Sequence, residues 1–146
     1  MQHVNIGKHA PKNYETLMAL TGQAEHDSAD AGLDKKLVEL VKIRASQLNG
    51  CAFCLRMHVR DAIAAGETAD RLAVVAAWWE SQYFSPEEQA ALLIAEQITG
   101  IGDQHVTRRP EVAPLSDEQV SAITWVAIVI NAWNRVAITS HYPVAP

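Results

Sequence analysis

The sequence predicts an all-α protein, a bundle of about six or seven helices. Three observations favour this class: apolar residues recur at helical spacing in several segments, helix-capping side chains precede four of them, and no segment alternates as a β-strand does. The 146 residues are 49% hydrophobic and 20% charged. A chain of this size and composition is expected to fold as one domain over residues 1–146.

Charge and hydropathy exclude several classes of partner. Twelve basic and seventeen acidic residues give a net charge of −5, and no basic run is present, which argues against nucleic acid and anionic membrane as partners. We find neither a signal-peptide pattern nor an unbroken apolar run long enough to span a membrane. We therefore expect a cytoplasmic protein, and in the reducing cytosol a close cysteine pair is more often catalytic than structural.

The N-terminal part is predicted to contain an arm, a short helix and a turn. Residues 1–12 lack periodicity and include Pro11, which indicates an extended N-terminal arm. A short helix is expected to begin near Asn13 and to end near Gly22. The polar segment 25–32 has the composition of a turn.

Two helices follow, and Asn49-Gly50 separates them. Asp34 is a good N-cap for the first helix. Asn49 and Gly50 both tolerate the left-handed conformation that ends a helix. The second helix places Cys51 in its first turn and ends near Gly66. We expect it to pack at the centre of the bundle, with its cysteine end open to a small pocket.

Three further helices are predicted, each opened by a side-chain N-cap and two of them by a capping box. The caps are Thr68, Ser85 and Ser116, and the helices end near Trp79, Gly100 and Ile138. Residues 100–115, with Arg108 and Arg109, are interpreted as a loop. The last helix is apolar nearly all round, so we expect it to be buried on several sides and, with Trp78 and Trp79, to contribute to a subunit interface.

Four side chains carry the candidate chemistry: Glu39, Cys51, Cys54 and His58. On one helix, residues at i, i+3 and i+7 lie within about 60° of one another, so both thiols and the imidazole share a face. Two antiparallel helices joined at Gly50 would bring Glu39 back towards His58. A carboxylate there would orient the imidazole and raise its basicity.

Other interpretations of these residues stay open. Two cysteines in a helical protein can be core residues, and Glu39, off the centre of its helix's apolar face, can be an ordinary exposed glutamate. Cys51, Cys54 and His58 could supply three zinc ligands, but the sequence offers no fourth nearby. Three ligands on one rigid helix are also poorly placed to surround one ion tetrahedrally. A thioredoxin-type site would need a preceding strand, and no strand pattern precedes Cys51.

The sequence resembles the AhpD-like alkylhydroperoxidases of the carboxymuconolactone decarboxylase superfamily over roughly residues 30–140. The matching segments are ELVKIRASQLNGCAFCLRMH (39–58), DAIAAGE (61–67), RLAVVAAWWES (71–81), FSPEEQAAL (84–92) and INAWNRVAI (130–138). The resemblance implies an all-helical subunit that assembles into homo-oligomers, trimers or hexamers. It also implies peroxide reduction by a cysteine pair, without a bound cofactor but with an external dithiol as reductant.

The resemblance also implies a role for each site residue. The residue matching Cys54 is oxidised by peroxide to a sulfenic acid, and the one matching Cys51 supplies a proton and then closes the disulfide. Glu39 and His58 match the family's glutamate and histidine, whereas Phe53 stands where the best-described members have a histidine. The helix dipole favours Cys51 as the thiolate by about 0.3–1 kcal/mol. We nevertheless assign the attack to Cys54, because His58, one turn away, supplies both a base and a charge partner.

The leading hypothesis is therefore a thiol-dependent peroxidase. A second hypothesis is a redox sensor or dithiol-relay protein, whose disulfide forms readily while peroxide turnover is slow; Phe53 favours it. A third is a lactone-acid decarboxylase of the same superfamily, which would need basic residues lining the pocket and no redox role for the cysteines.

Overall fold

The computed structural model describes residues 3–103 and 114–146, which form seven α-helices and one 3-10 helix and contain no β-strand. The helices are α1 (Ile6–His9), α2 (Pro11–Asp30), α3 (Lys35–Asn49), α4 (Ala52–Ala64), α5 (Ala69–Val74), the 3-10 helix (Val75–Glu80), α6 (Pro86–Thr99) and α7 (Asp117–Thr139). The predicted all-α class and helix number are confirmed. Most of the predicted loop over 100–115, with Arg108 and Arg109, lies outside the described residues.

The central helix of the bundle is α3. It packs on α4, α6 and α7, and every residue from Leu37 to Ser46 is buried. A helix buried on all sides must pair its polar side chains within the protein. The prediction that the cysteine helix is central was wrong, because α4 buries only Cys54, His58 and Ala62 and packs mainly on α3.

Within the predicted N-terminal arm, residues 1–12, the structure describes residues 3–12, and more than half of these are helical rather than extended. In α1, the Asn5 side chain caps the helix by accepting a hydrogen bond from the Lys8 backbone N–H. Pro11 is the first residue of α2, a position where the missing N–H of proline would have no partner in any case. The proline that suggested an interruption therefore starts a helix.

The turn predicted over 25–32 is mostly helix, because α2 continues through Gly22 to Asp30 and only residues 31–32 form a turn. A glycine inside a helix costs about 1 kcal/mol relative to alanine. Burial of Ala24 and Ser28 offsets it, since Ala24 belongs to a core cluster shared with α3 and α7. This packing, which local composition does not report, places Glu25 on α2, from where its carboxylate reaches the Lys42 ammonium on α3.

The turn between α3 and α4 forms where the sequence predicts it. Gly50 adopts the left-handed conformation, with φ 68°, and its backbone N–H bonds to the Gln47 carbonyl at 3.2 Å. Cys51 is the N-cap of α4, one residue before the predicted first turn, and its sulfur accepts a hydrogen bond from the Cys54 backbone N–H at 3.3 Å. The Cys51 sulfur therefore faces the positive end of the α4 dipole.

The predicted N-caps are confirmed, with capping boxes at two of them; the residues are Asp34, Thr68, Ser85 and Ser116. The helix after Thr68 differs from the prediction, because α5 ends at Val74 and the 3-10 helix follows with a kink at Ala77. Trp78 is buried there, whereas its neighbour Trp79 is 59% exposed.

The long hydrophobic helix is α7, which packs on α2, α3 and α6. By length and composition it could cross a membrane, with a mean hydropathy of 1.3, but half of that stretch is buried inside the bundle. It is therefore a core helix of this bundle. Its outer side still exposes Trp125, Ile128 and Ile138.

Candidate active site

A cavity of about 420 Å³ lies between α2, α4 and α7, and Tyr142 completes its wall. That volume is in the usual range for a small-molecule site. Aromatic and aliphatic side chains form most of the lining. The titratable side chains that line it are Tyr14, Glu25, Lys42, Cys54, His58, Asp61 and Tyr142.

The two cysteines are joined across the start of α4. Cys51 and Cys54 form a disulfide with their Cα atoms 5.4 Å apart, and both residues are buried. Cys54 lines the cavity and Cys51 does not, although both belong to one apolar cluster with Ala45, Ile130 and Ala137. A molecule in the cavity therefore reaches the Cys54 sulfur first.

Glu39 on α3 holds the imidazole of His58 on α4. The Glu39 Oε2 and His58 Nδ1 atoms are 3.0 Å apart, and the two residues are 2% and 7% exposed. Because an ionised carboxylate only accepts hydrogen bonds, the proton of a neutral imidazole lies on Nδ1 and leaves Nε2 as the acceptor. His58 lies one turn after Cys54 and lines the same cavity. The antiparallel helix pair thus brings Glu39 and His58 together as the sequence predicts.

A buried cation completes this group. The Lys42 ammonium lies 3.1 Å from Glu39 Oε1 and 2.7 Å from Glu25 Oε1, and the lysine side chain is 8% exposed. Each oxygen of Glu39 therefore accepts from one donor, Lys42 or His58. The sequence patterns do not single out Lys42, although its spacing of three residues from Glu39 on one helix is a known pairing distance.

The ionisation of this group follows from its contacts. Burial alone would raise the pKa of Glu39, but the hydrogen bond with His58 and the charge of Lys42 outweigh it, so the pKa is lowered. Burial alone would lower the pKa of Lys42, but the carboxylates of Glu39 and Glu25 raise it. At neutral pH, Glu39 and Lys42 are therefore both charged.

A metal ion fits this group poorly. Glu39, His58 and Asp61 each offer a ligand atom within 4.8 Å of the others. The ammonium of Lys42 already supplies the positive charge at one Glu39 oxygen, and His58 Nδ1 occupies the other. In the oxidised form that the structure describes, the two cysteine sulfurs are bonded to each other and do not offer zinc the thiolates that it needs.

Aromatic rings form the wall beside the cysteines. Phe53 packs edge-on against Tyr142, with ring centroids 5.1 Å apart. Tyr14 packs in the same way on Trp133, also at 5.1 Å. The Trp133 indole N–H donates to the Thr21 hydroxyl at 2.8 Å, which fixes the ring between α2 and α7.

A buried amide network fixes the turn that carries the cysteines. The Asn49 side-chain amide donates to the side-chain oxygens of Asn131 and Asn134, at 2.9 and 2.8 Å. Asn134, fully buried, donates in turn to the Ser46 hydroxyl at 3.0 Å. These bonds tie the end of α3 to α7 immediately before Cys51, and they account for the two asparagines in the segment INAWN.

Comparisons with known proteins find relatives of this chain. The model of the carboxymuconolactone decarboxylase family matches residues 11–97. An uncharacterised protein of Bacillus subtilis strain 168, YdfG, is 37% identical over an alignment of 142 residues that covers 94% of this chain and 92% of that protein.

A solved structure is also similar. ATU0492 of Agrobacterium tumefaciens, a protein of unknown function provisionally assigned as the antioxidant defence protein AhpD, is 31% identical and has a TM-score of 0.84, covering 99% of this chain and 100% of that one. The family match spans more than half of the residues, α3 and α4 among them, and the similar structure has the same fold. The chain therefore belongs to the carboxymuconolactone decarboxylase family, as an AhpD-like member.

Proposed function

We propose that the protein is a thiol-dependent peroxidase that reduces hydroperoxides at Cys54. One observation carries the proposal: the Cys54 sulfur lines a cavity together with His58, and its partner sulfur, Cys51, lies within disulfide distance behind it. A nucleophilic cysteine needs a base and a route to its substrate, and a resolving cysteine needs contact with the first sulfur. The shared cavity lining and the cysteine pair support the proposal on each of these requirements.

In the reduced enzyme, His58 Nε2 takes the proton of the Cys54 thiol, and Glu39 stabilises the resulting imidazolium through Nδ1. The Cys54 thiolate attacks the outer oxygen of the hydroperoxide, so an S–O bond forms and the O–O bond breaks. The departing alkoxide takes the proton of the Cys51 thiol and leaves as an alcohol. Cys54 is then a sulfenic acid, and Cys51 is a thiolate.

The second step closes the disulfide. The Cys51 thiolate attacks the Cys54 sulfenic sulfur, and the departing hydroxide takes the proton held by His58 and leaves as water. The hydroperoxide has then been reduced by two electrons, and the cysteine pair has been oxidised by two. An external dithiol returns both sulfurs to thiols by thiol–disulfide exchange.

The proposal includes the setting in which the enzyme acts. We propose a cytoplasmic homo-oligomer, a trimer or hexamer, that uses a dithiol reductant and no bound cofactor. The exposed indoles of Trp79 and Trp125 support an association surface, because large apolar groups left on a monomer's surface favour contact with another chain. Size-exclusion chromatography with light scattering measures the subunit number directly.

The lactone-acid alternative receives less support from the cavity. An anionic substrate would need an unpaired cation, and the one lysine among the described lining residues is bound to Glu39 and Glu25. With Asp61 also in the wall, the lining carries more negative than positive charge. The dithiol-relay alternative keeps one specific observation in its favour: Phe53, which lacks a proton to transfer, stands between the cysteines.

Steady-state peroxide consumption with a small dithiol tests the proposal. The expected result is turnover by the wild type and none by Cys54→Ser. A wild type whose disulfide forms within seconds but which turns over no faster than free dithiol would instead support the relay alternative. Unchanged consumption by Cys54→Ser would contradict the proposed site.

A further inference from the structure

We propose that Lys42 is a positioning residue of the thiol site: its ammonium keeps Glu39 ionised against His58 Nδ1, and this leaves His58 Nε2 as the base for Cys54. The inference rests on the proposed thiol chemistry, in which His58 takes the Cys54 proton. It adds Lys42, which acts through Glu39 and touches neither sulfur nor peroxide in the proposed mechanism.

The first step of the argument is the division of the Glu39 carboxylate between two donors. Oε1 accepts from Lys42 at 3.1 Å and Oε2 accepts from His58 at 3.0 Å. Glu39 is nearly inaccessible to water, so Lys42 is the charge that compensates it. A buried carboxylate without such a partner tends to take up a proton.

The second step concerns the tautomer of His58. A carboxylate at Nδ1 requires Nδ1–H, whereas a protonated Glu39 can donate to Nδ1 and move the ring proton to Nε2. An imidazole protonated at Nε2 cannot accept the Cys54 proton there. The charge of Lys42, two contacts away, therefore decides which nitrogen is basic.

The third step is the anchoring of Lys42 itself. Its ammonium also donates to Glu25 Oε1 at 2.7 Å, and this glutamate is on α2, half-exposed at the cavity. Glu25 therefore holds the cation from the solvent side. The chain of contacts runs from Glu25 through Lys42, Glu39 and His58, so α2, α3 and α4 all contribute to it.

Few other charged groups lie near this chain of contacts from Glu25 to His58. Asp61 Oδ2 lies 3.8 Å from His58 Nδ1; Tyr14 and Tyr142 also line the cavity, and burial raises the pKa of the Tyr142 phenol. From the α6 side of α3, Glu96 pairs with Arg44 at 2.8 Å, and neither residue lines the cavity. Among the described residues that line it, α7 contributes no charged side chain. Lys42 is thus the compensating cation for Glu39.

The test is the pH dependence of Cys54 alkylation by iodoacetamide in the fully reduced protein, followed by peptide mass analysis. For Lys42→Met we expect about a tenfold lower rate at pH 7 and a midpoint shifted up by about one pH unit. Lys42→Arg, which keeps the charge, should restore most of the wild-type profile. Lys35→Met, an exposed lysine on the same helix, is the matched control and should leave the profile unchanged.

A double-mutant cycle separates an effect through Glu39 from a direct effect on the sulfur. If Lys42 acts through Glu39, the Glu39→Gln/Lys42→Met protein has the same midpoint as Glu39→Gln alone. If Lys42→Met alone does not fold, Lys42→Gln, which removes the charge but keeps a polar side chain, replaces it in the cycle and should show the same upward shift of the midpoint. A further upward shift in the double variant, or a wild-type profile for Lys42→Met, overturns the inference.

Alkylation requires no peroxide, so the two proposals fail separately. A wild type that consumes no peroxide but whose Cys54 profile moves with Lys42 would reject the peroxidase and keep the positioning role. A wild type that consumes peroxide, with a Cys54 alkylation profile that is unchanged in Lys42→Met, would keep the peroxidase proposal and reject the positioning role.

Discussion

Glu39→Gln is expected to lower kcat/KM for peroxide by about 10- to 150-fold. The substitution keeps the shape of the side chain and removes one charge. Glu39 accepts through both oxygens, from Lys42 and from His58, whereas glutamine offers one acceptor and an NH₂ group. In either orientation of the amide, its NH₂ group faces the ammonium or the imidazole N–H, so two donors face each other and one of the two hydrogen bonds is lost.

The magnitude follows from the hydrogen bond that is lost. A carboxylate and an imidazolium whose charges lie about 4 Å apart interact by about 4 kcal/mol at an effective dielectric constant of 20, which is an upper limit for the effect. The net worth of a hydrogen bond to a charged group is about 1.5–3 kcal/mol, which corresponds to the stated 10- to 150-fold. The loss should appear in the alkylation rate of Cys54 as well as in turnover.

The matched control is Glu67→Gln. Glu67 is also a buried glutamate in an ion pair, 2.6 Å from Arg71 Nε, but it does not line the cavity. The Glu67→Gln substitution should lower the melting temperature and leave the reactivity of Cys54 unchanged. A folded Glu39→Gln enzyme with kcat/KM within twofold of the wild type would refute the role assigned to the Glu39–His58 pair.

Three further predictions concern stability and the cavity. Asn49→Ala should destabilise the protein by about 1–3 kcal/mol, measured by urea unfolding, because it leaves the Asn131 and Asn134 oxygens without that donor. The pKa of Glu39 is lowered from 4.5, so its ion pairs should stabilise the protein fully above pH 4.5 and be lost as the pH falls through the lowered value. The melting-temperature difference from Glu39→Gln should shrink below pH 4.5, and a constant difference down to pH 3 would contradict this. Ala137→Val narrows the cavity beside Cys54, so turnover with a bulky organic hydroperoxide should fall more than turnover with hydrogen peroxide; an equal fall would count against binding there.

The features of this fold that depend on neighbouring residues could be predicted from the sequence. A side-chain cap such as Ser85 bonds to a residue within four positions, so its pattern can be recognised without the structure. The same holds for the turn at Gly50, and the resulting helix pair predicts the approach of Glu39 to His58. These features depend on neighbours in the chain or on one short connection.

The features that were mispredicted depend on packing between distant segments. Gly22 predicts the end of a helix, but α2 continues past it because Ala24 is buried against α3 and α7. Because residue 25 was assigned to a turn, the sequence did not predict that Glu25 would form an ion pair with Lys42 at the site. A lysine within a helix is ordinarily solvated, and only burial of α3 on all sides turns Lys42 into a site residue.

The most direct test of the central claim identifies the sulfur that peroxide oxidises. Reduced Cys51→Ser and Cys54→Ser proteins are treated with one equivalent of hydroperoxide in the presence of dimedone, which traps sulfenic acids, and are examined by intact mass and peptide mapping. We predict one dimedone adduct on Cys54 in Cys51→Ser and none in Cys54→Ser. An adduct on Cys51 in Cys54→Ser, with Cys54 unlabelled in the other variant, would contradict the proposed mechanism and reverse the roles of the two cysteines.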